Sequence, residues 1–195
     1  RGAAPINWAV INGEKETGVT TFKLKAAIDT GNILLQDKLP ISESDTAGTI
    51  HDKMMVLGAN LLVTTLTGLV NNTLVEKDQE TIIDNDPTLL KHAPKIFTKD
   101  CEIDWNQDVE HIHNKVRGLA PFPGAITKVD GKVVKLFSTQ KEIKTPKEAP
   151  GNFIIEDKKI AKFACKNGYL LLNDIQWEGK KRMPIEDFLR GYRAI

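Results

Sequence analysis

The sequence predicts an α/β unit followed by an all-β barrel. The first half contains two strand-like segments and one long segment of helical period, whereas the second half contains mainly short strands separated by tight turns. The charge balance also changes sign. Residues 1–97 carry 9 Lys and Arg against 12 Asp and Glu, and residues 98–195 carry 18 against 14. We therefore expect two domains, residues 1–97 and residues 98–195.

Two strands are predicted near the start of the chain, over residues 17–24 and 32–41. The first alternates apolar and polar residues and is rich in β-branched side chains. The turn between them contains Asp29-Thr30-Gly31, where Gly permits a positive φ and the two polar side chains bond the local backbone. A loop carboxylate on a rigid sheet is a common catalytic arrangement. The tripeptide alone fits a purely structural turn aspartate as well.

A long amphipathic helix is predicted next. Apolar residues recur at three- and four-residue spacing from Ile50 to Val70, with Asp45 or Thr46 as the expected N-cap. Residues 73–77 predict a weak strand. The polar, proline-containing sequence that follows predicts a connection lying on the surface.

The second half predicts a short helix and then a small barrel. Val109, Ile112 and Val116 give the helix an apolar face, and a Gly- and Pro-rich segment ends it. Five strands follow, over residues 125–129, 132–138, 153–156, 160–165 and 169–176. Such a set fits a partly open barrel of the OB-fold type, which often binds nucleic acids. A short helix over residues 185–190 is expected to close the chain.

Composition narrows the class of protein. With 41% hydrophobic and 27% charged residues, the chain reads as an ordinary globular protein, and we expect no membrane span and no signal peptide. Cys101 and Cys165 lie far apart without a Cys/His pattern, so we expect no metal site. The basic second half is compatible with a polyanionic partner, although a solvated lysine-rich surface gives the same pattern.

Short motifs occur in a characteristic order along the whole chain. They are Arg-Gly-Ala-Ala-Pro-Ile at residues 1–6, Glu-Thr-Gly-Val-Thr at 16–20, Ile-Asp-Thr-Gly at 28–31, Asp-Thr-Ala-Gly-Thr at 45–49, Ile-Asp-Trp at 103–105, residues 117–123, Pro-Gly at 150–151 and Asn-Gly-Tyr-Leu at 167–170. Together they resemble the methionyl-tRNA formyltransferases. The resemblance implies a partial Rossmann-type formyltransferase domain over residues 1–97 and an OB-fold-like tRNA-binding domain over residues 98–195.

The resemblance also implies a reaction, the transfer of a formyl group from 10-formyltetrahydrofolate to the amino group of methionyl-initiator tRNA in translation initiation. Asp29 matches the catalytic aspartate, which orients a histidine of an Asn-x-His segment and favours its charged form. Ile28, Thr30 and Gly31 are expected to border the folate pocket. The family's Asn-x-His lies just upstream of the match to Arg1, so we expect this chain to be inactive by itself. Asn32 stands where the family often has a second acidic residue.

The same resemblance implies a tRNA-binding basic face on the barrel, and about half of the candidate residues are expected to contact phosphate. The candidates are Lys115, Arg117, Lys132, Lys135, Lys180, Lys181, Arg182, Arg190 and Arg193. Trp105, Phe122 and Trp177 are candidates for stacking on bases, although buried packing is the commoner role of such side chains.

Two other functions remain open on the sequence. They are a sugar-nucleotide N-formyltransferase, which would share the aspartate loop, and a non-catalytic RNA-binding module. We expect the intact enzyme to be a monomer in the cytoplasm, without a metal.

Overall fold

The computed structural model of the chain describes residues 2–26, 30–79 and 91–193. A two-stranded hairpin and two helices form the first part, and a six-stranded antiparallel sheet with two helices forms the second. The elements are α1 (Pro5–Ile11), β1 (Glu16–Phe22), β2 (Ile33–Pro40), α2 (Ala47–Val70), a 3₁₀ turn (Thr98–Cys101), α3 (Val109–Leu119), β3 (Ala125–Val129), β4 (Lys132–Glu142), β5 (Phe153–Glu156), β6 (Ile160–Ala164), β7 (Tyr169–Trp177), β8 (Arg182–Pro184) and α4 (Ile185–Gly191).

The hairpin of the first part is covered on one face by α2. Strands β1 and β2 pair antiparallel, and a register shift follows Thr21. Buried Thr65 of α2 meets Thr21 of β1, their Oγ1 atoms 2.8 Å apart. A small apolar cluster that includes Val10 and Ile50 joins α1 to the same hairpin. These contacts support both strands of the hairpin.

The start of α2 is fixed by a polar cluster. Thr46 is the N-cap, and its Oγ1 accepts a hydrogen bond from the Thr49 backbone N–H at 3.2 Å. The carboxylate of buried Asp45 accepts hydrogen bonds from Lys53, Ser42 and Thr49. Burial favours its neutral form, but these bonds outweigh that effect and hold the pKa of Asp45 well below its usual range.

The other side of α2 exposes an apolar row. Its members are Met55, Val56, Leu62, Val63, Leu66 and Val70, each more than half exposed. By length and composition alone α2 is able to cross a membrane, with a mean hydropathy of 1.5 over 18 residues. This helix differs from the expectation, based on composition, that the chain has no membrane span. A single helix of this kind is weak evidence of a membrane protein.

The second part is a curled antiparallel sheet wrapped around α3. Its strand order is β3-β4-β7-β6-β5, with β8 paired to the far end of β7. Register shifts on either side of Ser138 interrupt the β4–β7 ladder, and such bulges bend a sheet. Side chains of α3, among them Ile112 and Val116, pack on Leu136 and Leu170 in one continuous core.

Contacts between α1 and α3 hold the two parts together. A side chain on Gly118 of α3 would strike Ile11 and the Asn7 carbonyl, so only glycine permits this approach. The Asn7 amide donates to the Gly118 carbonyl at 2.8 Å. Buried Arg117 donates to the carbonyls of Ser42 and Asp45 at 3.0 and 2.7 Å. The joint is therefore a packed interface rather than a flexible connection.

Most predicted elements are present within two residues of their expected bounds, and the differences have local causes. The prediction of a strand over residues 73–77 was wrong, because only Lys77 pairs, in a single bridge to Ile33. Helix α1 was not predicted, since it has seven residues and no side-chain cap. Strand β8 was also not predicted, because its three residues are too few to show alternation.

Candidate functional site

The base of the β1–β2 loop is tightly held. The Lys23 N–H donates to the Asn32 carbonyl at 3.0 Å, and Gly31 lies so close to the Lys23 carbonyl that no side chain fits. The Gln79 amide donates to the Gly31 carbonyl from outside the hairpin. Gly31, which is predicted to border the folate pocket, is therefore anchored, and Thr30 is joined directly to it. Ile28 and Asp29, the predicted catalytic residue, lie outside the described residues.

Asn32 has a specific role at this support. Its amide donates to a carboxylate oxygen of Glu76 at 3.0 Å, and Lys23 pairs with the other oxygen. Hydrogen bonds from Lys23 and Asn32 lower the pKa of Glu76. An acidic residue at position 32, as the family often has, would be repelled by Glu76. The departure from the family pattern thus fits its own surroundings.

Four of the predicted nucleic-acid-binding residues are exposed at one end of the barrel. The Glu178 N–H donates to the Val133 carbonyl at 2.8 Å, which sets the β7–β8 turn beside the start of β4. The Tyr192 hydroxyl donates to Asp130 in the β3–β4 turn. These contacts bring together Lys132, Lys180, Lys181 and Arg193, which we call the basic end.

Three more of the predicted basic residues are held by partners. Arg182 pairs with Asp174 at 2.5 Å and covers the Phe137 ring, and Arg190 pairs with Asp187 at 2.6 Å. Half-buried Lys135 donates to the Pro123 carbonyl at 3.0 Å.

The last two predicted basic residues belong to α3. Lys115 donates to the Glu102 carbonyl, and burial lowers its pKa. Arg117 is only 6% exposed and makes its hydrogen bonds inside the joint between the two parts. We therefore leave Arg117 out of the surface that could meet a nucleic acid.

Of the three side chains predicted to stack on bases, two are packed against other aromatic rings and one is exposed. Trp105 lies against Phe163, with ring centroids 4.1 Å apart, and Trp177 packs on Phe188 at 5.0 Å. Phe122 is 79% exposed. Only Phe122 of these three is therefore free to stack on a ligand.

A cavity of about 410 Å³ lies at the joint between the two parts. It is lined by Glu43 from the first part and by His113, Arg117 and Lys141 from the second. His113 bonds the Thr139 hydroxyl at 2.9 Å, and burial, aided by Arg117 and Lys141, lowers its pKa to about 4. The hydrogen bonds of Lys141 and Lys15 lower the pKa of Glu43 to about 2. The cavity thus carries fixed charges around a neutral imidazole.

Neither a metal site nor a reactive thiol emerges from the part of the chain that the structure describes. No group of three or more His, Cys, Asp or Glu side chains converges there. Cys101 and Cys165 are buried free thiols, and burial raises the pKa of Cys165 to about 12. A thiol of that kind is a poor nucleophile at neutral pH.

Sequence comparisons relate both parts to one family. A model described as "Formyl transferase" matches residues 1–66, and one described as "Formyl transferase, C-terminal domain" matches residues 95–193. A methionyl-tRNA formyltransferase of Azobacteroides pseudotrichonymphae is 48% identical over 199 residues. That match covers 98% of this chain but 60% of the relative, so the chain spans about three fifths of the relative's length.

Solved structures share the fold. HypX from Aquifex aeolicus, in complex with tetrahydrofolic acid, matches all of this chain and 34% of its own, with a TM-score of 0.69 and 21% identity. An N-formyltransferase from Helicobacter canadensis, in complex with folinic acid and dTDP-3-aminofucose, matches 88% of this chain and 61% of its own, with a TM-score of 0.65 and 19% identity. At these identities the likeness concerns the fold alone.

Proposed function

The chain belongs to the formyl transferase family, and from this premise we propose that it serves in the formylation of methionyl-initiator tRNA. The formyl donor would be 10-formyltetrahydrofolate, and the product would start translation in the cytoplasm. The observation that carries the proposal is the 48% identity to a methionyl-tRNA formyltransferase across 98% of the chain. A sugar-nucleotide enzyme has no comparable support, since its likeness rests on the fold.

Asp29 is the residue that we propose for catalysis within the first part. The amino group that attacks the formyl carbon must lose a proton, while negative charge on the formyl oxygen must be stabilised. The bond from the formyl carbon to N10 then breaks, and tetrahydrofolate leaves with a proton on N10. A carboxylate next to a histidine raises the pKa of the histidine and fixes the orientation of its ring. A histidine held in this way suits both the removal of the proton and the stabilisation of the negative charge. The anchoring of Gly31 and Asn32, close after Asp29 in the sequence, supports this role, because catalysis needs groups held in a reproducible position. Ile28, Thr30 and Gly31 would border the bound folate.

The test uses a protein of the relatives' full length that contains this chain. Replacing Asp29 by Asn removes the charge at nearly constant size, and we expect kcat/KM for methionyl-initiator tRNA to fall by about 10²-fold or more. Asp37→Asn is the matched control, because Asp37 is an exposed aspartate on β2 of the same hairpin. Full activity of the Asp29 variant would contradict the assignment. Formylation of an amino-sugar nucleotide in place of the tRNA would favour the sugar-modifying function.

We propose the basic end as the main phosphate-contacting surface of the barrel. Its four cations are exposed and contributed by three different chain segments, which is how a folded platform follows an RNA backbone. We also propose that the curled sheet is an OB-fold barrel. Phe153 and Ile155 of β5 lie beside Val129 of β3 around one cavity, which brings the two outer strands of the sheet together.

Salt dependence tests the basic end. In the double variant Lys180→Ala/Lys181→Ala, we expect weaker tRNA binding and a slope of log K against log salt that is smaller by about one per lost phosphate contact. Lys144→Ala/Lys147→Ala is the matched control, since those exposed lysines follow the opposite end of β4. An equal change in both variants would show that only net charge matters.

A further inference from the structure

A groove with a volume of about 540 Å³ lies between the two parts, and it shares no lining residue with the cavity at His113. It is lined by Ala3 and Ala4 of the first part, by residues 95–98, and by Phe122 and Lys135 of the second part. We call it the Phe97–Phe122 groove. None of the residues that line this groove belongs to the loop of Asp29 or to the basic end.

Two aromatic rings are displayed in this groove. Phe97 is 61% exposed and Phe122 is 79% exposed, and they are the only exposed aromatic side chains among the large hydrophobic residues of the described chain. Phe122 lies between Pro121 and Pro123, whose rings restrict the backbone on both sides. Rings held in the open by a stiff segment lose little conformational entropy when a flat ligand stacks on them. Their position together in one groove points to a ligand with an aromatic face.

The charged side chains of the groove narrow the class of ligand that it could bind. The Lys95 ammonium lies 5.5 Å from the centre of the Phe97 ring, and the Lys135 ammonium is fixed by the Pro123 carbonyl at 3.0 Å. No carboxylate lines the groove among the described residues. Two ammonium groups beside two open rings match a ligand that combines an aromatic plane with an anion. An unpaired nucleotide has both, whereas an apolar peptide would leave the ammonium groups without a counter-charge.

We propose that the Phe97–Phe122 groove binds an unpaired nucleotide of the single-stranded acceptor end of the tRNA, with its base stacked on Phe122 and its phosphate near Lys95 and Lys135. The groove is lined by residues of the barrel and by residues that precede α1, so a strand lying in it contacts both parts of the chain. This inference rests on the proposed function, and it adds a contact that recognises an unpaired base.

The experiment measures binding of two RNAs by the protein of full length. One is the initiator tRNA with its single-stranded 3′ end intact, and the other is the same tRNA with its last four nucleotides removed. Phe122→Leu keeps an apolar side chain but removes the stacking face, whereas Phe122→Tyr keeps the face. Ile143→Ala is the matched control, because Ile143 is a 71% exposed apolar residue beyond the end of β4.

We expect Phe122→Leu to weaken binding of the intact tRNA by about 5- to 150-fold, the value of one stacked base. The trimmed tRNA should bind the Leu variant and the parent equally, and Phe122→Tyr should stay within about threefold of the parent. An unchanged affinity in Phe122→Leu, or an equal loss for both RNAs, would overturn the inference. A parent protein that binds neither RNA would overturn the proposed function as well, so the two failures are distinguishable.

Discussion

His113 shows at the residue scale how the joint between the two parts sets a charge state. Its ring is 6% exposed and bonded to Thr139, and the nearby cations are Arg117 and Lys141. Burial and these cations all oppose protonation, while Glu110 and Glu43 oppose the shift only partly. The imidazole is therefore neutral at physiological pH and acts as a packed hydrogen-bonding group.

The lowered pKa of His113 predicts a pH dependence of stability. The unfolded chain takes up a proton on this side chain near pH 6.5, whereas the folded protein does so only near pH 4. The free energy of unfolding is therefore at its full value above pH 6.5. It falls by up to about 3 kcal/mol as the pH drops from 6.5 towards 4. His113→Gln should remove this slope from the free energy of unfolding, measured by urea titration between pH 4 and 7.

The control for that measurement is His111→Gln, because His111 is exposed on the same helix. The difference between the two variants isolates the effect of burial, since both lose one imidazole. Parallel pH profiles for the two variants would contradict the account of His113.

Position also decides the role of Arg117, which the sequence could not reveal. The family resemblance implies a place on a tRNA-binding basic face, but the fold buries this side chain in the joint with the first part. Asn32 is the opposite case, since the hydrogen bond to Glu76 explains an unusual residue that the sequence alone left without a reason. Asp29 stays a prediction, because it lies outside the described residues.

At the scale of the elements, strands with alternating residues and the long helix were predictable, and very short elements were not. Periodicity defined β1, β2 and α2 within two residues, because each repeats its pattern several times. Helix α1 has only seven residues, and its packing on α3 through Gly118 stabilises it instead. The Phe97–Phe122 groove was not predictable for a similar reason, since its two rings come from separate segments that only the fold brings together.

The N-cap of α2 gives a prediction for one element. Thr46→Ala removes the hydrogen bond to the Thr49 N–H and should lower the free energy of unfolding by about 0.5–2 kcal/mol. Thr64→Ala, at an exposed position inside the same helix, should be neutral or slightly stabilising, because Ala has the higher helix propensity. Urea unfolding of both variants provides the measurement. Equal effects would show that the cap has no special role.

At the scale of the whole molecule, the two parts should unfold together, because contacts across their interface join them. The Gly48 N–H donates to the Ala120 carbonyl at 3.1 Å, and Lys141 of the barrel pairs with Glu43 of the first part at 2.9 Å. With Arg117 and Gly118, these contacts form a continuous interface.

Replacing Arg117 tests that interface. Arg117→Ala leaves the carbonyls of Ser42 and Asp45 without their donor, and we expect a loss of about 2–4 kcal/mol in the free energy of unfolding. Arg190→Ala should change stability by less than about 0.5 kcal/mol, because that arginine is exposed and its ion pair with Asp187 lies at the surface. Loss of stability of the same size in both variants would contradict the role of Arg117 in the joint.

The apolar row on α2 has a practical consequence for anyone who purifies the 195-residue chain. Six large side chains facing water on one face of the helix make the polypeptide an amphiphile, with a strip that favours any nonpolar surface. It should be retained on a phenyl column, enhance the fluorescence of a hydrophobic dye, and precipitate at low ammonium sulfate concentration, because sulfate strengthens apolar association. Detergent or glycerol in the buffer would then decide whether the chain is studied as single molecules or as clusters.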